Sequence, residues 1–347
     1  MSFDFSRWAV VAYNDDTGLG RMAQDIKAVL GVRQLVVPSQ RLSTRSLVAG
    51  RDHLLRDEAS TAELEAALGG LDGLVLLEKA DWHPQLPSVA RRLGVRLACV
   101  PMWEWFRGTD AVWATIDVLL CPSKFCRQVV HRYGWRNTVD ATWPLDLTRL
   151  PARRIGGGAR VFFHNAGLVD DDDRKGTRDT IRAFHRLACR DVRLIVRLQR
   201  AAPLPELDER IDVRIGNLES PGALYTEGEV AVQPSKMEGV GFMVLEPVCS
   251  GVPTITTDYP PMSDHVVQPE LRVQPRWFKR TCFPARAAAV SHAHLRLPRL
   301  RDLTRRMTWC VEHDLAAISL ANRARAEQLF DPARLRDEWR RALAPSG

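Results

Sequence analysis

The chain has 347 residues, 45% of them hydrophobic, and a formal charge of +7 at neutral pH. That length exceeds what one hydrophobic core usually supports, so two domains of roughly 150 residues each are expected. No stretch approaches the ~20 consecutive apolar residues of a membrane-spanning helix, which excludes a helical membrane protein. The start Met1-Ser2-Phe3-Asp4-Phe5 lacks the basic-then-apolar pattern of a leader. The seven cysteines are odd in number and scattered, with no pair at two-residue spacing, which fits a reduced, cytoplasmic protein. The positive charge would suit a phosphorylated substrate, or peripheral contact with an anionic membrane or nucleic acid. All but six of the 49 basic residues are arginine, however, so coding bias accounts for the excess as readily as a binding surface does.

In chain order, residues 8–13 read as a strand, followed by the polar Asn14 to Thr17, then Gly18-Leu19-Gly20 and a helix to about Leu30. Further strands are expected over 35–37, 73–77, 95–100 and 118–121, and a helix over 123–133 closed by Gly134. Residues 151–158, rich in proline, arginine and glycine, read as a linker. A second α/β unit opens with a strand over 160–164. Residues 229–234 read as a short buried strand ended by proline, and 243–250 as a helix stopped by Gly251 and Pro253. Two helical segments, 301–327 and 331–342, complete the chain. Strands alternating with helices predict parallel sheets.

Gly18-Leu19-Gly20-Arg21-Met22-Ala23 satisfies the dinucleotide fingerprint with alanine in the last place, so an NAD-dependent oxidoreductase is one reading. Two features oppose it. Four polar residues separate the strand from the first glycine, and the strand at 35–37 leads into Pro38-Ser39 where an acidic ribose ligand is needed. The run Asp170 to Asp173 invites a metal, but like charges between elements usually form a solvated loop. Cys121, Cys126 and His131 lie on drifting faces and read as core or surface residues rather than zinc ligands. The basic block from Arg272 to Arg306, which includes Arg286, reads as a solvated face, and His292-Ala293-His294 as structural.

His164-Asn165-Ala166-Gly167 and Arg174-Lys175-Gly176-Thr177 flank the acidic run and precede a helix reaching Leu187. A cation at a helix N-terminus is disfavoured by the dipole unless an anion lies between them, and a diphosphate is such an anion. Trp82-His83-Pro84 and Pro101-Met102-Trp103-Glu104-Trp105-Phe106 each follow an expected strand. Indoles there could stack on a sugar face or simply pack, and Glu104 could accept a hydroxyl proton or serve the fold.

The segment Gln233-Pro234-Ser235-Lys236-Met237-Glu238-Gly239-Val240-Gly241-Phe242-Met243-Val244-Leu245-Glu246-Pro247 places two carboxylates eight residues apart across a glycine-rich turn. The turn lies where a parallel strand hands over to a helix, the ligand-binding edge of an open α/β sheet. Gly239 and Gly241 let the backbone approach a ligand, and carboxylates accept hydrogen bonds from vicinal hydroxyls. Taken singly, Glu238 could cap the helix and Glu246 could be a solvated helix residue.

The run from Leu224-Tyr225 through Gln233-Pro234-Ser235, Glu238-Gly239-Val240-Gly241-Phe242, Leu245-Glu246 and Gly251-Val252-Pro253 to Thr257-Asp258 resembles the donor-site signature of retaining glycosyltransferases of the GT-B fold, group 1 type, family four. The resemblance implies two Rossmann-like parallel-sheet domains facing a cleft. Residues 1–152 would form the acceptor domain, 153–325 the nucleotide-sugar domain, and 326–347 a helix crossing back to the first. It implies transfer of a hexose from a nucleotide-diphosphate sugar to a hydroxyl acceptor, with neither metal nor cofactor. Glu238 would contact the sugar hydroxyls, Glu246 the ribose, and the backbone of Gly239, Val240, Gly241 and Phe242 the donor sugar. Lys175, aided by Arg174, would neutralise the diphosphate, with His164, Asn165 and Lys236 also on the donor side. Gly18, Gly20, Trp82, Trp103 and Glu104 are the acceptor-side candidates. The family's glycine-arginine pair is replaced by Asn165 and Ala166, which leaves Arg174, or more remotely Arg197, as the second cation. A glycosyltransferase acting on modified nucleic acid and a noncatalytic sugar-nucleotide binding protein are further readings.

Overall fold

The computed structural model describes residues 3–39, 44–218, 220–281 and 293–344, and the statements below concern these. Two compact units are present: Met1–Asp146 with Phe330–Gly347, and Leu147–Leu329. The first contains β1 (Trp8–Tyr13), α1 (Gly18–Leu30), β2 (Arg33–Val37), β3 (Asp52–Leu54), α2 (Thr61–Leu68), β4 (Gly73–Glu78), α3 (Leu86–Arg92), β5 (Arg96–Pro101), β6 (Val118–Cys121), α4 (Lys124–Arg132) and β7 (Thr138–Asp140). The second contains β8 (Val161–Gly167), α5 (Thr177–Phe184), β9 (Arg193–Leu198), β10 (Ile211–Ile215), β11 (Val230–Gln233), α6 (Phe242–Cys249), β12 (Thr254–Thr257), α7 (Met262–His265), β13 (Arg272–Val273), β14 (Pro275–Thr281), β15 (His294–Pro298), α8 (Leu300–Glu312) and α9 (Ala316–Leu329). The final helix, α10 (Pro332–Leu343), belongs to the first unit.

The first sheet has the order β3-β2-β1-β4-β5-β6-β7, and its strand pairs are parallel. Its central strands are apolar runs because helices cover both faces of a parallel sheet; residues 8–12 and 73–77 are buried throughout. α10 adds an amphipathic helix. Leu335, Trp339 and Leu343 are buried, the Trp339 indole N–H donates to the Thr142 carbonyl at 2.8 Å, and Glu338 accepts from the Thr142 N–H at 2.5 Å.

The second sheet, also parallel, has the order β10-β9-β8-β11-β12-β13, with β14 and β15 forming a separate antiparallel ribbon. One face packs Phe162, Val230, Val232 and Ile255 against Ile181 and Phe184 of α5 and Leu303 and Met307 of α8. The opposite face carries the alternate residues of the same strands, including Phe163, Asn165 and Gln233.

Three sequence expectations change. The segment 301–327 is two helices, because the carboxylate of Asp314 accepts the Ala316 N–H at 3.0 Å and the Gly157 N–H at 2.8 Å and turns the chain between them. Gly18 and Gly20 lie inside the first turn of α1 rather than in a loop before it, since Thr17 is the cap and accepts the Gly20 N–H at 3.2 Å. Residues 147–152 fall in the second unit, where Arg149 meets Glu246. No helix among the described residues is long and apolar enough to cross a membrane.

Because Trp339 is buried and its N–H is bonded, Trp339→Ala should destabilise the protein by about 3 kcal/mol, read as a lower urea midpoint.

Candidate functional site

Two loops at the C-terminal edge of the second sheet build the candidate site: 168–176, after β8, and 234–241, after β11. Their backbones are joined, with the Lys236 N–H donating to the Arg174 carbonyl at 2.8 Å. Gly176 and Gly241 cap α5 and α6 in the left-handed region, at φ of 75° and 84°. A side chain at 176 would also meet the Pro234 carbonyl oxygen at 2.6 Å, so glycine is required there for space as well as for conformation.

The Lys236 ammonium lies underneath. It is 5% exposed and bonds the carboxylates of Asp173 and Asp179, each at 3.0 Å, and the Asp172 carbonyl. Asp173 is therefore not part of a solvated acidic loop: it is buried, and it also accepts the Arg178 N–H. Burial holds its carboxyl above the ordinary range even with Lys236 pulling it down. Lys236, expected on the donor side, has its ammonium committed to this framework.

Above the junction, two cations converge on Glu238. Lys175 Nζ lies 2.7 and 2.9 Å from its two oxygens, and Arg174 Nη1 lies 3.2 Å from one of them and 3.1 Å from the Met237 carbonyl. Burial alone would raise the Glu238 carboxyl; the charges of Lys175 and then Arg174, with the hydrogen bonds from Lys175, outweigh it and hold the group ionised below its usual range. Arg197 is committed to Glu227, so Arg174 is the guanidinium that joins Lys175.

Glu246 sits one turn into α6 and is buried. Arg149 donates to one of its oxygens at 2.5 Å and the Tyr225 hydroxyl to the other. Arg149 was not read as a site residue because it lies 97 positions away, just before the segment that looks like linker. Gly239 and Val240 lie in the buried bend before α6, and Phe242 opens the helix. His265 donates from Nε2 to the Val240 carbonyl at 2.6 Å and pins that bend, a contact with no sequence signal.

His164 is structural. Its Nδ1–H donates to the Val232 carbonyl at 2.6 Å and its Nε2 accepts from the Thr177 hydroxyl at 3.0 Å. Burial drives its pKa down to about 4; the Val232 carbonyl opposes that and the nearby Lys175 charge adds to it. Neutral His164 thus ties β8 to β11 and to the first residue of α5. Asn165 and Gln233, on adjacent strands, are buried, and no protein group among the described residues bonds their side-chain amides. Each such group costs roughly 1–3 kcal/mol unless a hydroxyl or water completes it.

The first-unit candidates come out differently. Trp82 is buried, donates its N–H to the Leu77 carbonyl at 3.0 Å and packs edge-on to Tyr13. Trp103 is fully buried and edge-on to Phe125. Neither indole presents a stacking face, which corrects the acceptor roles given to both; Trp105 is the exposed indole of its loop. Gly20 is a packing glycine, since a Cβ there would strike the Asp15 backbone at 2.3 Å, and Gly18 has open space around it. The fingerprint glycines therefore form a helix start, with Gly20 packed on Asp15, and β2 has no acidic residue at its end. Glu104 is nearly buried. Arg286 and His292 lie outside the described residues.

Residues 160–279 match the family model described as Glycosyl transferases group 1. No curated protein matches the chain. Among solved structures, HepE from Anabaena, in complex with UDP and glucose, is similar with a TM-score of 0.70 at 12% identity, covering 97% of this chain and 98% of that one. An α,α-trehalose-phosphate synthase from Burkholderia xenovorans, in complex with glucose-6-phosphate, has a TM-score of 0.63 at 12% identity, with 97% and 100% covered. The lipopolysaccharide outer core galactosyltransferase WaaB has a TM-score of 0.62 at 12% identity, with 94% and 98% covered. At such identities the likeness establishes the fold, the two parallel-sheet domains of GT-B glycosyltransferases.

Lys236→Met would strand two buried carboxylates and should destabilise the protein by about 3 kcal/mol in urea unfolding. For His164, the unfolded chain takes up a proton near pH 6.5, whereas the folded state resists it until about 4. This stability is present above pH 6.5 and is lost as pH falls through that window, about 2 kcal/mol between pH 7 and 5. His164→Asn, which keeps a donor for Val232, should lose most of that dependence in parallel denaturation curves.

Proposed function

We propose that this chain is a retaining, metal-independent glycosyltransferase that moves a hexose from a nucleotide-diphosphate sugar to a hydroxyl acceptor. The observation that carries the reading is the convergence of Lys175 and Arg174 beside Glu238, at the sheet edge where the α5 and α6 N-termini begin. Departure of a diphosphate builds negative charge on phosphate and oxocarbenium character on the sugar. Lys175, Arg174 and backbone N–H groups at helix N-termini suit the first, and Glu238 suits the hydroxyls of the second. Asp173, held by Lys236, belongs to the framework rather than to a cation site in this scheme. Glu246 is assigned to the ribose, with Arg149 and Tyr225 orienting its two oxygens. No side chain is assigned as covalent nucleophile; the acceptor attacks the face the diphosphate leaves, assisted by that phosphate. The family match over 160–279 supports the reading, and the UDP and glucose bound by HepE make UDP-glucose the first donor to try.

A thermal-shift panel of nucleotides and nucleotide sugars identifies the donor. With it, Lys175→Ala and Glu238→Ala should each lower transfer about a hundredfold, ~3 kcal/mol of barrier, in proteins that remain folded. Full turnover by either variant would refute the assignment. Glu246→Ala should weaken nucleotide binding measured by calorimetry.

A further inference from the structure

Both oxygens of Glu238 are engaged by Lys175, and one also by Arg174. These are the cations assigned above to the donor diphosphate, and Glu238 is the carboxylate assigned to the sugar. One carboxylate cannot bind two cations closely and hold vicinal hydroxyls at full strength, because its lone pairs are shared. We infer that Glu238 is an internal stand-in for the diphosphate: donor binding is an exchange in which the phosphates take Lys175 and Arg174 and free Glu238 for the sugar. The inference rests on the proposed function and adds a coupling between its two halves.

Arg174 and Lys175 are held from below, through the Lys236 N–H bond to the Arg174 carbonyl and through Gly176 pressed on Pro234. Glu238 stands on the bend that leads to Gly239 and to Gly241, whose left-handed conformation only glycine adopts easily. Both backbones are thus anchored, the Glu238 bend also by His265 on the Val240 carbonyl, so the exchange is one of side-chain partners. Such an arrangement keeps two like charges from facing each other unbalanced, and it admits an anion only if that anion outcompetes a carboxylate. A diphosphate does so with more charge and more oxygens; a monophosphate does so less well.

The test uses free diphosphates, which carry no sugar for Glu238 to hold. Calorimetric titrations of UDP, GDP and ADP, with UMP as the monophosphate, compare the full-length protein with Glu238→Gln, Lys175→Met and the double variant, each checked for a cooperative thermal transition. Glu238→Gln removes the competing charge and should bind the preferred diphosphate about tenfold tighter, with a smaller gain for UMP. The gain should vanish when Lys175 is already Met. Equal or weaker binding by folded Glu238→Gln overturns the exchange, as does a gain that persists without Lys175, and the proposed function survives either result. Should Glu238→Gln not fold, Glu238→Asp, which pulls the carboxylate back by one methylene, should show a smaller gain, and unchanged affinity overturns the inference. Failure of the unsubstituted protein to bind any of the diphosphates overturns the proposed function, and this inference with it.

Discussion

The second unit depends on one buried ammonium. Lys236 ties the acidic loop to the β11 turn through its side chain, meets Arg174 through its N–H and receives the Arg296 N–H on its carbonyl at 2.9 Å. A buried charge is tolerable only when paired and hydrogen-bonded, and here two carboxylates and a carbonyl supply that. Because the pairing spans sequence-distant loops, each loop's conformation is a condition for the other's. The acidic run that looks like surface is the reason Lys236 can be inside.

On this base the site sorts charges by depth. Below, Lys236 with Asp173 and Asp179 is closed. Above, Lys175 and Arg174 with Glu238 is half-buried on the cationic side and so open to exchange. Between them His164 is kept neutral, which spares the region a further positive charge next to Lys175. The neighbouring Arg149, Glu246 and Tyr225 repeat the pattern one turn into α6, with a carboxylate oriented by two donors rather than left to solvent. Electrostatic preorganisation of this kind costs little at the moment of reaction because the protein has already fixed its dipoles and charges.

How far the sequence reveals this varies with the range of the interaction. Strands β1, β6 and β11 are legible as uninterrupted apolar runs, and α6 as the segment between Gly241 and Gly251. The three-residue strands β3 and β7 are too short to show any period. The break between α8 and α9 escapes because an Asp314 cap looks like an ordinary polar residue inside a helical pattern. At the site, Glu238, Glu246 and Lys175 stand out by spacing and by their place next to strand ends. The roles of Arg149, Lys236 and His265 do not, since each acts through a partner remote in sequence. Trp82 and Trp103 mislead for the reverse reason: a loop position after a strand says nothing about which way a ring turns, and both rings turn inward.

The return of α10 to the first unit has a consequence for biosynthesis. Residues Leu147–Leu329 form their unit from one continuous stretch, whereas the first unit needs Phe330–Gly347 to cover the buried faces of Leu335, Trp339 and Leu343. A chain emerging N-terminus first can therefore finish its second unit before its first. Until α10 has emerged, the earlier-made half waits with its apolar seat for that helix uncovered. The order in which the two units can be completed is thus the reverse of the order in which they begin to be made.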